Sequence, residues 1–316
     1  MLRYSAVLLL ATTIWAATFP VYKAILAVWH PVQLQFWRYT LATGLILLFG
    51  GMHRSPRPRP VIRRGILLGM ILWGAFTAQA YGIAYTTASR AAFLTNLLIL
   101  FGPGMYLVMA RWASRGTVRF VQMSRRAIVR YGGFWLLAGC GLALLTLRNW
   151  TWTWNIGDTL CTCGALLFAM QMVWIDYWDT RSHARLYAWL QMAVVAVLTL
   201  VWAWVLGVPL WPTPGWTAGE MSRWLAVLAL ALLPSWAAFE WQARAQPHVH
   251  TPIASLIYAT EPFQAALLAM VFLGERLTAV QWVGGMCITA AIFGAMSPGT
   301  VVRPPAIESE RYESPG

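Results

Sequence analysis

The 316-residue sequence is strongly apolar, with 59% hydrophobic and 10% charged residues, whereas soluble domains carry about 25% charged residues. This composition excludes a soluble enzyme or binding domain, because one soluble core cannot bury long uncharged runs repeated along the whole chain. The formal net charge of +13 does not indicate nucleic-acid binding, because the arginines lie in short clusters between apolar runs rather than on a basic face with aromatic stacking residues.

Ten apolar segments follow one another along the chain, and about 20 such residues match the hydrocarbon thickness of a bilayer. The first half contains the segments Tyr4 to Val28, Val32 to Gly50, Gly65 to Thr86, Ala91 to Ala110 and Tyr131 to Leu147. The second half contains the segments Gly157 to Ile175, Tyr187 to Leu206, Trp224 to Gln242, Thr251 to Leu273 and Val280 to Met296. The first segment is too long for the core of a signal peptide. The pattern therefore predicts an all-α integral membrane protein with ten transmembrane helices.

The basic residues between these segments predict the orientation, because Lys and Arg in short loops stay on the cytoplasmic side. Seventeen arginines fall on one side of the predicted membrane and four fall on the other. The four are Arg90, Arg148, Arg223 and Arg276. We expect a multi-pass protein of the cell inner (plasma) membrane with both termini in the cytoplasm. Residues 298–316 are rich in Pro, Ser and Glu and are expected to form a disordered cytoplasmic tail.

Two prolines suggest an internal repeat, with residues 1–150 and 151–297 as its two halves. Aligning Pro103 with Pro262 superposes the fourth segment on the ninth, and Gly102 then corresponds to Glu261. Because each half has five segments, related halves must be inverted relative to each other in the membrane. A proline frees a backbone carbonyl, which hydrocarbon tolerates only where protein or a wet cavity satisfies it. The breaks predict either a binding site in a central cavity between two inverted five-helix repeats or proline kinks of purely structural value.

The last two segments carry the most specific motifs of the chain. These read Thr251-Pro-Ile-Ala-Ser-Leu-Ile-Tyr-Ala-Thr-Glu261-Pro262, then Leu273-Gly274-Glu275-Arg276-Leu277 and Gln281-Trp-Val-Gly-Gly285. The chain resembles the EamA-type drug/metabolite transporters in these motifs, and the resemblance extends over nearly the whole chain. It includes Trp15, Lys23, His30-Pro31, Arg38 and Gly157-Asp158. The resemblance implies ten helices in two inverted five-helix repeats around a central cavity that exports small molecules such as amino acids.

The first half departs from this pattern at two places. Ser114-Arg115-Gly116 stands where the second half has Leu273-Gly274-Glu275, and Gly102 stands where it has Glu261. No Asp or Glu precedes Asp158. Acid chemistry in transport therefore belongs to the second half.

Five charged residues fall inside the predicted segments, where a central charge costs at least about 2.5 to 3.5 kcal/mol. One of them, Glu240, lies toward the cytoplasm and is expected to pair with Arg244 one turn on. Glu261 lies near the bilayer centre, and it either exchanges protons during transport or bonds backbone groups freed by Pro262. Arg38 offers a forked guanidinium to a carboxylate, either of a substrate or of an acidic side chain in the other half. Lys23 either joins Arg38 in an outer vestibule or snorkels into the headgroups. Asp158 either shares that vestibule or caps the sixth helix.

Neutral and aromatic residues at similar depth complete the predicted cavity. They are Trp15, Tyr22, Gln79, Tyr85, Asn96, Gln171, Trp236 and Tyr258. A pocket with several aromatic and few polar groups fits an amphiphilic or aromatic solute. Each of these residues taken alone has the alternative of packing in the core or lying in an aromatic belt.

Together these features predict a secondary active transporter that exports small metabolites, such as amino acids or related amphiphilic compounds, across the inner membrane by alternating access. The alternatives are a facilitative channel-like permease and a polytopic membrane enzyme. An enzyme would need metal-binding acids or a nucleophile motif, and the sequence shows neither pattern. We expect no cofactor, no metal, no catalytic residue and no nucleic-acid partner, and either a monomer or a homodimer in the lipid bilayer.

Overall fold

The computed structural model describes residues 2–49, 59–98, 100–102, 105, 125–148, 151–178, 183–212, 217–245, 257–258 and 260–296. The described chain is almost entirely α-helical. Its helices are α1 (Leu2–Leu26), α2 (Pro31–Phe49), α3 (Arg59–Tyr85), α4 (Ala88–Asn96), α5 (Arg125–Thr146), α6 (Ile156–Tyr177), α7 (Ala184–Leu206), α8 (Ala218–Leu232), α9 (Ala238–Ala245), α10 (Glu261–Leu273) and α11 (Ala279–Met296). Strands β1 (Leu147–Arg148) and β2 (Thr151–Trp152) form a short antiparallel hairpin between α5 and α6.

Several of the described helices have the length and the surface of membrane spans. Each of the ten predicted segments contains a helix, with α8 and α9 sharing the eighth segment. Four described helices are long and apolar enough to cross a bilayer, namely Arg3–Leu26, Arg59–Tyr85, Ile156–Ile175 and Leu186–Leu206. Large apolar side chains point outward, as at Leu48, Trp204 and Val271, which are 77%, 82% and 76% exposed. The described structure therefore confirms the predicted all-α class, and its exposed apolar side chains suit contact with hydrocarbon, as a membrane protein requires.

Glycines allow two helix pairs to pack with their backbones in contact. A Cβ atom on Gly157 of α6 would lie 2.6 Å from the carbonyl oxygen of Gly82 in α3. A Cβ atom on Gly141 of α5 would lie at the same distance from the carbonyl oxygen of Gly284 in α11. Association in lipid depends on such close van der Waals packing rather than on the hydrophobic effect. The pairs α3–α6 and α5–α11 therefore need glycine at these positions.

Helix α4 lies inside the bundle and packs against α10, α6 and α1. All nine of its residues are buried. Its N-terminus is capped by Thr87, whose side chain accepts a hydrogen bond from the backbone N–H of Arg90. The helix therefore makes its contacts with protein on every side.

Polar contacts between helices mark one end of the bundle. At the end that carries the β hairpin, Gln33 of α2 donates to the carbonyl oxygen of Pro209 after α7 at 2.8 Å. At the same end, Gln281 of α11 donates to the carbonyl oxygen of Leu145 in α5 at 3.3 Å. We call this the hairpin end. We call the opposite end, where α1 begins and α11 ends, the terminal end.

Candidate functional site

A π-helical turn, Leu233–Ala237, separates α8 from α9 near the middle of the eighth segment. Pro234 has no backbone N–H, so the regular hydrogen-bond ladder cannot continue through it. The buried Ser235 repairs part of this gap, because its hydroxyl donates to the carbonyl oxygen of Leu230 at 2.9 Å. Such π-turns inside helices are frequent at functional sites.

Arg38 of α2 reaches this π-turn from the opposite half of the chain. Its Nε donates to the hydroxyl of Ser235 at 2.8 Å, and its Nη1 donates to the hydroxyl of Tyr22 at 2.9 Å. The rings of Tyr39 and Phe76 lie 5.0 and 5.9 Å from its Cζ atom. The side chain is only 5% exposed. No Asp or Glu among the described residues forms an ion pair with it, and its Nη2 makes no hydrogen bond there.

Three aromatic residues predicted from the sequence also lie at the π-turn. Trp15 of α1 donates from Nε1 to the carbonyl oxygen of Pro234 at 3.1 Å. The ring of Trp15 lies 6.2 Å from that of Tyr258. Trp236 belongs to the π-turn itself and packs against the buried apolar cluster that includes Tyr39. We call Trp15, Tyr22, Arg38, Pro234 and Ser235 the π-turn cluster.

Glu261 is the first residue of α10, and Pro262 follows it in the first helical turn. Its carboxylate is partly exposed and makes neither a hydrogen bond nor an ion pair with any described residue. One turn later, Gln264 accepts from the hydroxyl of Thr13 in α1 at 2.6 Å. The predicted break at Glu261 therefore coincides with a helix start. Gly102 is helical, and Pro103 lies outside the described residues.

A buried ion pair joins α4 to α6 at the hairpin end. It is formed by Arg90 and Asp158, and the Asp158 side chain is fully buried. The hydroxyl of Thr86 donates to Oδ1 of Asp158 at 2.6 Å. Asp158 also exchanges hydrogen bonds with Asn155, from the backbone N of Asn155 to Oδ2 at 3.0 Å and from its own backbone N to Oδ1 of Asn155 at 3.1 Å. The capping role proposed for Asp158 is confirmed, and the ion pair is an addition to it.

Two further charges satisfy helix ends beside this ion pair. The ammonium of Lys23 donates to three carbonyl oxygens at the end of α3, those of Ile83, Ala84 and Thr86, at 2.9, 2.9 and 2.7 Å. The carboxylate of Glu275 accepts from the backbone N of Ala88 and of Ser89, at the start of α4, at 2.7 and 3.0 Å. A cation at a helix C-terminus and an anion at an N-terminus both complement the helix dipole. Lys23 is therefore a helix cap, a role that the sequence did not indicate.

The start of α8 carries a second ion pair at the hairpin end. Glu220 pairs with Arg223 on the same helix, and Oε2 of Glu220 accepts from Nε1 of Trp29 at 3.2 Å. The rings of Trp29 and Trp224 lie 4.8 Å apart. We call Lys23, Arg90, Asp158, Glu220 and Glu275 the hairpin-end network. It connects α1, α3, α4, α6 and α8 with the loop between α10 and α11.

The remaining predicted cavity residues lie apart from the π-turn cluster. Gln79 donates to a threonine of α4 at 3.3 Å, and Gln171 donates to a glutamine of α7 at 2.7 Å. Asn96 is buried and bonds a carbonyl oxygen one turn back in its own helix. Tyr85 is the last residue of α3 and is 58% exposed. The structure thus brings Trp15, Tyr22 and Trp236 together with Arg38 at the π-turn, but not these four residues.

The residues missed from the sequence are Pro234, Ser235 and Glu275 in its capping role. A proline in the middle of the segment Trp224 to Gln242 was the available signal for the first two. Nothing local indicated the role of Glu275, because the backbone N–H groups that donate to its carboxylate lie 186 and 187 residues away. No group of three or more His, Cys, Asp or Glu side chains that could hold a metal occurs in the described part of the chain.

Comparisons with known proteins agree with the resemblance. The sequence model of the EamA-like transporter family matches residues 3–115 and 155–297. An uncharacterized transporter of Archaeoglobus fulgidus is 25% identical over 288 residues, which cover 90% of this chain and 83% of that protein. An uncharacterized transporter of Vibrio cholerae serotype O1 is 33% identical over 124 residues, 37% of this chain and 38% of that protein. A crystal structure that is 17% identical superposes with a TM-score of 0.56 over 92% of this chain and 96% of its own, a likeness of fold alone.

Proposed function

Because the chain belongs to the EamA-like transporter family, we propose that it is a secondary active carrier that exports amino acids or related amphiphilic metabolites across the inner membrane. The observation that carries this proposal is Arg38, a buried guanidinium with an unused Nη2 and no acid paired with it among the described residues. A guanidinium in protein within the bilayer needs a counter-charge or water. Its planar fork fits a carboxylate, so we assign the substrate carboxylate to Arg38.

Aromatic residues define the rest of the proposed substrate site. Trp15 and Tyr258 lie together on one side of the π-turn, and Tyr22 and Tyr39 flank the guanidinium. The hydroxyl of Tyr39 is buried without a hydrogen-bond partner in the described structure. Such a lining favours a solute with an apolar or aromatic side chain and a carboxylate at one end. This combination describes an amphiphilic amino acid better than a sugar or an inorganic ion.

Glu261 is the proposed site of proton coupling. Its partly exposed carboxylate lies at the start of α10 and has no partner among the described residues. The alternative from the sequence was that it bonds backbone groups freed by Pro262, and no such bond is found with the described residues. A lone carboxylate in a membrane interior is a usual place for proton exchange. Substrate export in exchange for an entering proton would use it once in each cycle.

The packing of the helices supports the proposed inverted repeat. The family match falls on two ranges, one in each half of the chain. Segments with the same place in each half pack against one another: α2 with α7, α4 with α10 and α5 with α11. The third segment packs on the sixth, as α1 packs on α9 of the eighth. A two-fold axis in the membrane plane would generate these pairs, and alternating access would follow from rocking of the halves.

The hairpin-end network is the proposed outer gate. Its ion pairs and capped helix ends join six parts of the bundle on that side. We place the hairpin end outside the cell and the terminal end in the cytoplasm, following the distribution of arginines. Release of substrate to the outside would require contacts such as that of Glu275 with α4 to part.

A counterflow experiment in proteoliposomes tests the function. Vesicles are loaded with an unlabelled amino acid, and uptake of the labelled compound is followed for a panel that includes each amino acid and its amide. Saturable counterflow is expected for a carrier, and a channel would show none. Absence of saturable exchange across the whole panel would contradict the proposal.

Variants of the two charged residues test their separate roles. Arg38→Lys keeps the charge but loses the fork, and it is expected to lower the preference for an amino acid over its amide about tenfold, the value of one charge-assisted hydrogen bond. Glu261→Gln is expected to abolish pH-driven flux and to retain counterflow. Arg276→Gln, at an exposed position of the hairpin end, is the control and should behave like the unsubstituted protein. Unchanged pH-driven flux in Glu261→Gln would remove the coupling role.

A further inference from the structure

A basic cavity of about 570 Å³ lies at the terminal end, between the beginning of α3 and the end of α6. Its lining includes Arg59, Arg63, Arg64, Leu67, Trp174 and Trp178. It shares no residue with the π-turn cluster or the hairpin-end network, so the proposed transport path leaves it unexplained. Its volume is within the range of about 300 to 1,000 Å³ that small-molecule sites occupy.

The arginines of this cavity carry a charge that the described residues do not neutralise. Arg59 and Arg63 are four residues apart and therefore project from the same side of α3, and Arg64 is adjacent to them. No described Asp or Glu forms an ion pair with any of the three. Asp176 and Asp179 are near Trp178 in the sequence, and their side chains lie outside the described residues. Guanidinium groups so arranged match the oxygens of a phosphate.

Two indoles place the cavity at the level of the lipid headgroups. The rings of Trp174 and Trp178 are 4.4 Å apart and meet edge to face. The Cζ atom of Arg64 lies 5.6 Å from the centre of the Trp178 ring, within the range of a cation–π contact. Tryptophan concentrates where the membrane meets water, because its ring is apolar and its N–H is polar. The arginines are therefore presented at the depth of the phosphates of one leaflet.

An apolar surface leads from the cavity along α3 toward the bilayer centre. Ile66, Leu67 and Met70 are 42%, 39% and 50% exposed. We propose that the cavity binds the headgroup phosphate of one anionic phospholipid, whose acyl chains lie along this surface. The lipid comes from the leaflet at the terminal end, which is the cytoplasmic leaflet in the proposed orientation. Basic pockets between membrane helices on that side are suited to anionic headgroups.

Lipid titration of the purified full-length protein tests this site. The protein is kept in detergent micelles that contain phosphatidylcholine, phosphatidylglycerol is titrated in, and retained lipid is counted by native mass spectrometry alongside the melting temperature. We expect one phosphatidylglycerol per chain to be retained and phosphatidylcholine to be lost. Arg59→Gln, Arg63→Gln and Arg64→Gln should each lower the apparent affinity for phosphatidylglycerol about fivefold, the contribution of a basic side chain near an anionic surface.

Matched variants and a second anion separate this site from general surface charge. Arg3→Gln removes an exposed arginine from the same end and should leave lipid retention unchanged. Trp178→Phe keeps a ring beside Arg64 and should retain more lipid than Trp178→Leu. Equal retention of phosphatidylglycerol and phosphatidylcholine would overturn the proposal. So would equal retention of phosphatidylglycerol by Arg3→Gln and by a variant that combines Arg59→Gln, Arg63→Gln and Arg64→Gln. Displacement of the lipid by inorganic phosphate at matched concentration would overturn it as well, because the site would then take a soluble anion.

Discussion

The charged side chains of the predicted membrane segments have three different kinds of surroundings. Asp158 and Arg90 neutralise each other, Arg38 is held by two hydroxyl groups, and Glu261 has no partner among the described residues. A neutralised pair fixes helices in place, because separating it leaves two unpaired charges. A charge held by hydroxyl groups keeps its attraction for a ligand. This difference separates residues that support the fold from residues that serve transport.

Loss of the buried carboxylate is expected to destabilise the hairpin end strongly. Asp158→Asn leaves the Arg90 guanidinium without its counter-charge, and breaking one partner of a buried pair costs about 3–5 kcal/mol. The measurement is the free energy of unfolding in detergent. The double variant Asp158→Asn with Arg90→Gln should recover part of the loss. If the single and double variants are equally stable, the ion pair does not connect α4 to α6 as described.

Burial also makes the loop between α1 and α2 sensitive to acid. It lowers the pKa of His30 below its ordinary value of 6.5, and the neutral ring accepts from the backbone N of Val32 at 3.4 Å. The unfolded chain therefore binds more protons than the folded one near and below pH 6.5, so stability should be complete above this range and fall as pH decreases through it. Melting temperatures across this range should show the loss, and His30→Gln should show less of it. If both proteins lose the same amount of stability on acidification, protonation of His30 is not the cause of the loss.

At the scale of helices, what the sequence predicted was the length and order of the apolar segments. These depend on local composition and bilayer thickness. The bounds of a predicted segment such as Tyr187 to Leu206 therefore agree closely with those of its helix, α7 (Ala184–Leu206). The capping by Lys23 depends on contacts with a distant segment, and no local pattern contains it. Pro234 is a local signal for the π-turn, but the contact of Arg38 with Ser235 spans 197 residues. The candidate site was therefore predicted in part: the sequence analysis named Arg38, Trp15 and Tyr22, but not Tyr39, Phe76 or Ser235.

One glycine of α5 should be far less tolerant of substitution than its neighbour. A Cβ atom on Gly141 would lie 2.6 Å from the carbonyl oxygen of Gly284, whereas a Cβ atom on Gly139 would meet nothing within 4 Å. Gly141→Ala must push α5 and α11 apart, and overpacking of this kind costs about 1–3 kcal/mol. Gly139→Ala should be neutral or stabilising by about 0.5–1 kcal/mol. Unfolding of the two variants in detergent measures the difference, and equal stability would contradict the close approach of these helices.

At the scale of the whole molecule, the two ends should be accessible from opposite sides of the membrane. A cysteine placed at position 59 in α3 and one placed at position 296 in α11 should react with an impermeant reagent from the cytoplasmic side only. A cysteine at position 148 in the hairpin should react from the outside only. Because the chain has four cysteines of its own, the experiment starts from a variant in which these are serine. Labelling of positions 59 and 296 from different sides would disprove the proposed orientation and the even number of spans.

The buried helix α4 has a consequence for how the protein is made. Its Arg90 must await Asp158, which is synthesised 68 residues later, and the backbone N–H groups of Ala88 and Ser89 must await Glu275, which is synthesised 187 and 186 residues after them. Transfer of a helix that contains an arginine and an asparagine from the insertion channel into lipid is unfavourable. In truncated chains that end before α6, we therefore expect α4 to remain at the insertion channel or to be degraded by membrane proteases. Pulse-chase labelling of such truncated chains should show their rapid degradation.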